Sequence, residues 1–275
     1  MGAVQAQEIT AAKWAVGLRM KNPRLSAVVS ALKTGKIIRI HILRPTWHYV
    51  AAKDVRWMSQ ISGPRIKAAW TSFARGHGIV LDESFFAQAH KILEKVLPGK
   101  SLDRVDLADY FTRNGLAVTD HILRYVLCCA EADGLVGSGP ARRRTHTYML
   151  MKERVRNAPA CPREEALFRL ARLYFQSHSP ASLEDFSWWS GLPISEARRA
   201  VLSLGAELAR EFFGGMKILC ALAECRVAFS LFITADSRLQ PSGMTTYYTT
   251  PQLRRPSSLS VFPIKTPACA GVKWW

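Results

Sequence analysis

The chain has 275 residues, 48% of them apolar, and its 38 lysines and arginines against 21 acidic residues give a formal net charge of +17. This length allows one large domain or two to three small ones, and the charge favours a polyanionic partner. No apolar run is long enough to span a bilayer, and the amino terminus lacks the charged-then-apolar pattern of a signal peptide.

Cysteine and histidine usage argues against a metal site or a disulfide framework. The six cysteines form no CxxC pair, and the histidines show no ligand-like spacing. We therefore expect reduced core thiols, no metal and no cofactor. We also expect a cytosolic protein and a monomer.

The first structural unit, residues 1–80, combines a helix with a hairpin. Residues 27–32 are predicted to be helical and Gly35 to turn the chain. Residues 37–42 and 46–50 alternate as the two strands of a hairpin do. The segment Gln5-Ala6-Gln7 precedes this unit's helix.

The second unit, residues 81–158, follows the winged-helix order most clearly. A helix over 85–96 ends at Pro98-Gly99, Ser101 is predicted to cap the next helix, and Thr119 caps a third over 120–132. Strands near 134–136 and 147–151 then form the wing. Such a third helix enters the major groove and the wing lies along the backbone. The basic residues expected to contact DNA here are Arg124, Arg142, Arg143 and Arg144.

The third unit, residues 159–222, repeats the pattern. A helix covers 163–176, a capping signature at Ser182 opens the next, and Ser195 is predicted to cap a helix that displays Arg198 and Arg199. Residues 212–222 form the predicted wing. The predicted fold is thus mainly α with small β-hairpins (α+β), built from tandem winged-helix units. Although such units also serve as protein-interaction modules, three copies in a chain of this charge favour double-stranded DNA as partner.

Several strings in fixed order carry a family resemblance. Two glutamines around one apolar residue are unremarkable alone. The chain also reads LRPTWHYV at 43–50, DVRW at 54–57, DFSWWSGL at 185–192 and EARR at 196–199. Together with Gln5-Ala6-Gln7, this pattern resembles the AlkZ-like winged-helix DNA glycosylases from Gly2 to about Phe213.

The resemblance implies both an activity and a site. Members of that family fold tandem winged helices into a C-shape whose concave basic face holds duplex DNA. They remove N-alkylated purines, and some unhook interstrand crosslinks. The family's Gln-apolar-Gln motif corresponds here to Gln5 and Gln7, which are therefore the candidate catalytic residues.

The chemistry of the reaction suits two glutamines. Alkylation at purine N7 or N3 makes the base a cationic, good leaving group, so the enzyme need only hold a water and stabilise oxocarbenium charge with oriented dipoles. A glutamine oxygen can orient water and its nitrogen can contact the sugar-phosphate. Both side chains converge only if residues 4–8 are extended or begin a helix. Glu8 is the less favoured candidate for a general base.

Other candidate site residues lie in the 43–57 region. His48, on a predicted strand and facing away from Trp47, either contacts a phosphate or the lesion or is a satisfied structural histidine. Arg44 is expected to pair with a phosphate. Trp57 is interpreted as core, with stacking on a base as the alternative.

Both ends depart from the family pattern. The motif starts at position 5, whereas family members usually carry a further helix before it. Residues 214–275 contain only Glu224 and Asp236 as acids, a composition typical of a truncation or a shifted reading frame. We expect 223–275 to be poorly ordered. The alternatives to a glycosylase are a non-catalytic winged-helix DNA-binding or regulatory protein and an inactive truncated family member.

Overall fold

The computed structural model describes residues 2–142, 145–156, 161–213 and 216–221, so the 223–275 tail lies outside it. Its elements, in chain order, are β1 (Ala3–Gln5), α1 (Ile9–Gly17), α2 (Leu25–Thr34), β2 (Ile37–Ile42), β3 (Thr46–Ala51), α3 (Ala52–Gly76), α4 (Glu83–Val96), α5 (Arg104–Arg113), α6 (Asp120–Ala132), β4 (Val136–Ser138), β5 (Tyr148–Leu150), α7 (Met151–Arg154), α8 (Arg163–His178), α9 (Leu183–Ser190), α10 (Ile194–Ser203), β6 (Leu208–Phe213) and β7 (Met216–Ala221).

The first unit, residues 1–80, contains a three-stranded antiparallel sheet in which β3 lies between β1 and β2. The predicted hairpin over 37–42 and 46–50 is confirmed. One face of the sheet buries Ile38, Ile40 and Val50 in the largest core, and the other face carries Tyr49 into a small cluster with α1 and α2. The sheet is therefore covered on both faces, which fixes its register.

The β2–β3 turn is held in an uncommon backbone conformation. Leu43 has a φ of 62° and is 1% exposed. Its N–H donates to the Ser62 hydroxyl of α3 at 2.9 Å. Its carbonyl lies so close to Gly191, the left-handed C-cap of α9, that a Cβ there would be 2.7 Å from the Leu43 oxygen. The turn is thus locked between α3 and α9.

Helix α3 runs through the middle of the described fold. It has 25 residues and continues through Pro64, which is exposed. Pro64 leaves the carbonyl of Gln60 without a helical partner, and because Gln60 is itself exposed, water can satisfy it. Trp57 and Met58 of the same helix are buried, and Trp57 Nε1 donates to Asp54 at 3.0 Å. The interpretation of Trp57 as a core residue is confirmed.

The second helical group, α4 to α6, packs around a core of its own that includes Phe111 and Leu93. Thr119 caps α6 as predicted. The predicted Ser101 cap is wrong: Asp103 caps α5, and Ser101 donates its hydroxyl hydrogen to Thr147 at 2.6 Å instead. An aspartate closer to the helix accepts two backbone N–H groups, which the more distant serine cannot reach.

The third group, α8 to α10, shares the largest core with the sheet and α3. The Ser182 capping box with Asp185 is confirmed. The Ser195 cap is wrong, because α10 already begins at Ile194 after Pro193, whose fixed φ suits a helix start. The β6–β7 hairpin starts at Leu208, whereas the predicted wing begins four residues later, at position 212.

The predicted fold class, mainly α with small antiparallel hairpins, is confirmed. None of the helices within the described part is both long and apolar enough to cross a membrane. Among the described cysteines, Cys128 and Cys129 are buried free thiols. Burial raises the pKa of Cys129 to about 12, so this thiol is unreactive at neutral pH.

The crossing of α3 and α6 depends on Gly63. A Cβ at this position would lie 2.9 Å from the backbone oxygen of Ala132, whereas a Cβ at Gly76 of the same helix would meet no atom within 4 Å. We expect Gly63→Ala to lower the free energy of unfolding by about 1–3 kcal/mol through overpacking. Gly76→Ala is the control and should change it by less than about 1 kcal/mol. Urea denaturation measures both, and equal effects would contradict this role for Gly63.

Candidate active site around the Gln-Ala-Gln segment

The Gln-Ala-Gln segment lies between a strand and a helix. Strand β1 ends at Gln5, the chain bends at Gln7, and α1 begins at Ile9. Gln5 and Gln7 are exposed, whereas Ala6 is completely buried. The segment is therefore non-helical and lies just before a helix, as the convergence of both side chains requires, and both glutamines reach solvent.

Strand β3 fixes the backbone of this segment. Gln5 is paired with His48, and the Ala6 N–H donates to the Trp47 carbonyl at 2.7 Å. The Trp47 N–H in turn donates to the side-chain oxygen of Gln7 at 3.3 Å. Because that oxygen faces β3, the Gln7 amide nitrogen is the group left to contact a ligand. No hydrogen bond within the described residues engages the Gln5 side chain, which keeps its oxygen available.

A cationic side chain completes the backbone contacts of the segment. Arg39 Nε donates to the Ala6 carbonyl at 3.0 Å, and its guanidinium carbon lies 4.2 Å from the centre of the Trp47 ring. His41 also packs on Trp47, with 3.8 Å between ring centres, and His146 contacts it edge-on at 4.6 Å. Trp47 is thus a packing residue that supports the segment from β3.

A buried carboxylate from the second unit contacts the aromatic rings packed on Trp47. Glu131 of α6 is 0% exposed, and its Oε2 lies 2.6 Å from His41 Nδ1. A buried carboxylate is costly unless it is hydrogen-bonded. The contact therefore ties α6 to β2 at a defined position, next to the residues that hold the Gln-Ala-Gln segment.

Two histidines beside the segment are held neutral. His48 is 3% exposed, its Nδ1 donates to the Thr46 carbonyl at 2.9 Å, and burial lowers its pKa to about 4. Burial, together with the charge of Arg39, lowers the pKa of His146 to about 3. Of the two roles predicted for His48, its burial favours the structural one, because it leaves almost no surface for a phosphate.

The predicted DNA-contacting arginines differ in their surroundings. Arg44 lies 4.1 Å from the ring centre of Trp188, and desolvation lowers its pKa. Three others contact carboxylates: Arg124 with Asp120 at 2.8 Å, Arg142 with Asp106 at 3.0 Å, and Arg199 with Glu196 at 3.5 Å and Glu164 at 3.6 Å. Arg198 is exposed and makes no ion pair within the described part, and Arg143 and Arg144 lie outside it.

Sequence reasoning missed the residues that support the segment, namely Arg39, His41, Glu131 and His146. Arg39 and His41 alternate with isoleucines on a predicted strand, a pattern that usually places the polar side chains in solvent, so no local signal in the sequence indicated their contacts. Among the described residues, no group of three or more His, Cys, Asp or Glu side chains is arranged to hold a metal ion.

Comparison with known proteins gives two matches and one negative result. A family model described as "DNA glycosylase AlkZ-like" matches residues 1–225. The solved structure of Streptomyces sahachiroi DNA glycosylase AlkZ is similar with a TM-score of 0.66 at 20% sequence identity, over 82% of this chain and 62% of that chain. The chain thus spans less than two thirds of that relative, and the likeness shows the fold. No curated protein sequence matches.

The neutral histidines predict a pH dependence of stability. Their pKa values in the folded state, about 4 for His48 and about 3 for His146, lie below the ordinary value of about 6.5. The unfolded chain therefore takes up two more protons as the pH falls below about 6.5. The free energy of unfolding should fall by up to about 1.4 kcal/mol per pH unit for each histidine between about pH 6.5 and 4.

Urea denaturation between pH 7.5 and 4.5 measures this slope. His48→Gln and His146→Gln should each reduce it, whereas His121→Gln, at an exposed position of α6, should leave it as in the wild type. A wild-type slope retained in the His48 and His146 variants would show that other groups cause the acid lability.

Proposed function

The chain belongs to the AlkZ-like DNA glycosylase family, and on that premise we propose that it hydrolyses the N-glycosidic bond of alkylated purines in double-stranded DNA. The observation that supports this proposal best is the Gln-Ala-Gln segment. Its two glutamine side chains are exposed, while the residue between them is buried and bonded through both backbone groups. Such a segment presents two oriented amide dipoles on a fixed backbone.

The proposed reaction needs no acid, because the alkylated purine is already cationic. The bond between the sugar C1′ and the purine nitrogen breaks, its electron pair neutralises the base, and C1′ becomes an oxocarbenium centre. A water adds to C1′ and loses one proton to solvent. The Gln5 oxygen accepts a hydrogen bond from this water, and the Gln7 amide nitrogen donates to an oxygen of the sugar-phosphate.

The basic winged-helix units hold the duplex in this proposal. Residues 1–80, 81–158 and 159–222 each supply one unit, and arginines such as Arg44 and Arg198 contact phosphates. Phosphate contacts position the protein without reading sequence, which suits an enzyme that searches for damage at any site. A monomer in the bacterial cytoplasm or nucleoid fits this role.

The proposed activity predicts how the two glutamines behave when substituted. Incubated with duplex DNA that contains 7-methylguanine, the wild type should produce alkali-labile abasic sites. Gln5→Ala and Gln7→Ala should each lower the single-turnover rate by about 10²-fold, the usual effect of removing one oriented dipole. Affinity for the duplex should change little, because the basic surfaces remain.

The exposed Gln88 of α4 supplies the matched control, and Gln88→Ala should leave the rate unchanged. A parallel loss of rate and affinity in the Gln5 and Gln7 variants would assign the glutamines to binding. Wild-type base loss equal to spontaneous depurination would remove the enzyme and leave a non-catalytic DNA-binding protein.

A further inference from the structure

Two half-buried arginines of this fold donate from their guanidinium groups to backbone carbonyls. Arg39 donates to Ala6 at 3.0 Å. Arg154 donates to Lys33 at 2.8 Å, to Ser138 at 3.1 Å and to Leu32. Desolvation lowers the pKa of both. Neither forms an ion pair with a carboxylate of the described residues, so backbone carbonyls compensate for the burial of both charges.

The target of Arg39 is the central peptide of the Gln-Ala-Gln segment. Pairing between β1 and β3 ends with the Ala6 N–H bond to Trp47, and the chain then bends at Gln7. The Ala6 carbonyl has no strand partner at this point, and Arg39 satisfies it. That carbonyl belongs to the peptide between Ala6 and Gln7, so its orientation determines how the Gln7 side chain is directed relative to Gln5.

Arg39 is itself held from three sides. Its guanidinium packs on Trp47, its backbone N–H donates to the Ser138 hydroxyl of β4 at 2.8 Å, and Nη1 lies 3.4 Å from His146 Nδ1. Because a guanidinium only donates, His146 Nδ1 is the acceptor and its ring proton lies on Nε2. Arg39 is therefore held between the three-stranded sheet and the segment of the second unit that contains Ser138 and His146.

From these contacts we propose that Arg39 is a positioning residue for the DNA glycosylase reaction, holding the Ala6 peptide so that Gln5 and Gln7 point at the same sugar. This inference rests on the proposed function. Arg39 acts through the backbone of the segment and has no role as an acid or base. A misplacement of catalytic groups by about 1 Å costs roughly 10²-fold in rate, so a loss of this order is expected without Arg39.

The test compares Arg39 with Arg154. Arg39→Met keeps the length and apolar packing of the side chain and removes the donors. It should lower the single-turnover rate at saturating enzyme by 10- to 100-fold while the affinity for duplex DNA stays within about twofold. Arg39→Lys keeps one donor for the Ala6 carbonyl and should recover part of the rate. Arg154→Met also breaks bonds to backbone carbonyls and should cost stability, yet leave the rate within about threefold of the wild type.

A second readout does not depend on activity. With ¹⁵N-labelled glutamine, NMR reports the backbone and side-chain amides of Gln5 and Gln7. Arg39→Met should shift the Gln7 side-chain signals toward free glutamine and speed exchange of the Ala6 amide, and Arg154→Met should do neither. If the wild type releases no base, the proposed function fails, and this readout still decides whether Arg39 holds the segment.

Two results would overturn the positioning role. One is a rate loss for Arg39→Met no larger than that for Arg154→Met, measured at a temperature where circular dichroism shows both variants folded. The other is a Gln7 spectrum unchanged in Arg39→Met. Should Arg39→Met fail to fold, the same comparison is made with Arg39→Ile, which also lacks the donors and suits a strand position. A wild-type rate together with wild-type Gln7 signals in that variant would equally overturn the role.

Discussion

The antiparallel pairing of β1 with β3 is the interaction on which the candidate site depends. It places Ala3 in the largest core and Val4 in the smaller cluster, so the sheet is covered on both faces. It also determines where pairing ends. The first residue beyond β1, Ala6, is buried and bonded at both backbone groups, and the glutamines on either side of it reach solvent. Two polar side chains are thereby carried by a backbone that cannot move without disturbing the core.

Local patterns predicted the elements whose signals lie close together in the sequence. Strand alternation identified the β2–β3 hairpin, and side-chain caps identified the starts of α6 and α9. Helix α3 received no prediction. Pro64 interrupts its pattern, and only the exposure of Pro64 in the folded chain explains why the helix continues. The two wrong caps show the same limit. Asp103 and Pro193 precede α5 and α10 in place of Ser101 and Ser195, and residue propensity alone does not tell which of two nearby candidates begins a helix.

The candidate site was predictable only in part, for a physical reason. Gln5 and Gln7 stood out through resemblance to a family, and the extended backbone that they need followed from side-chain periodicity. Their support comes from contacts between residues far apart in the chain: Arg39 reaches Ala6 across 33 positions and His146 across 107. Such contacts depend on how the sheet packs against the second unit. No local spacing in a single sequence records that packing.

Under the proposed function, the charge of the substrate sets a constraint that these contacts help to meet. DNA binding favours a basic protein, and this chain carries +17. A cationic alkylated purine and an oxocarbenium centre are nevertheless repelled by positive charge at the point of reaction. Around the Gln-Ala-Gln segment, burial keeps His48 and His146 neutral, and the charge of Arg39 is directed into the Ala6 carbonyl and the Trp47 ring. Gln5 and Gln7 present neutral amides to solvent there, whose dipoles can orient water without adding positive charge, and the exposed carboxylate of Glu8 follows them. A basic surface for phosphates and the proposed reacting centre are thus compatible in one chain, because the positive charge of Arg39 beside the segment is already engaged by the backbone that it holds.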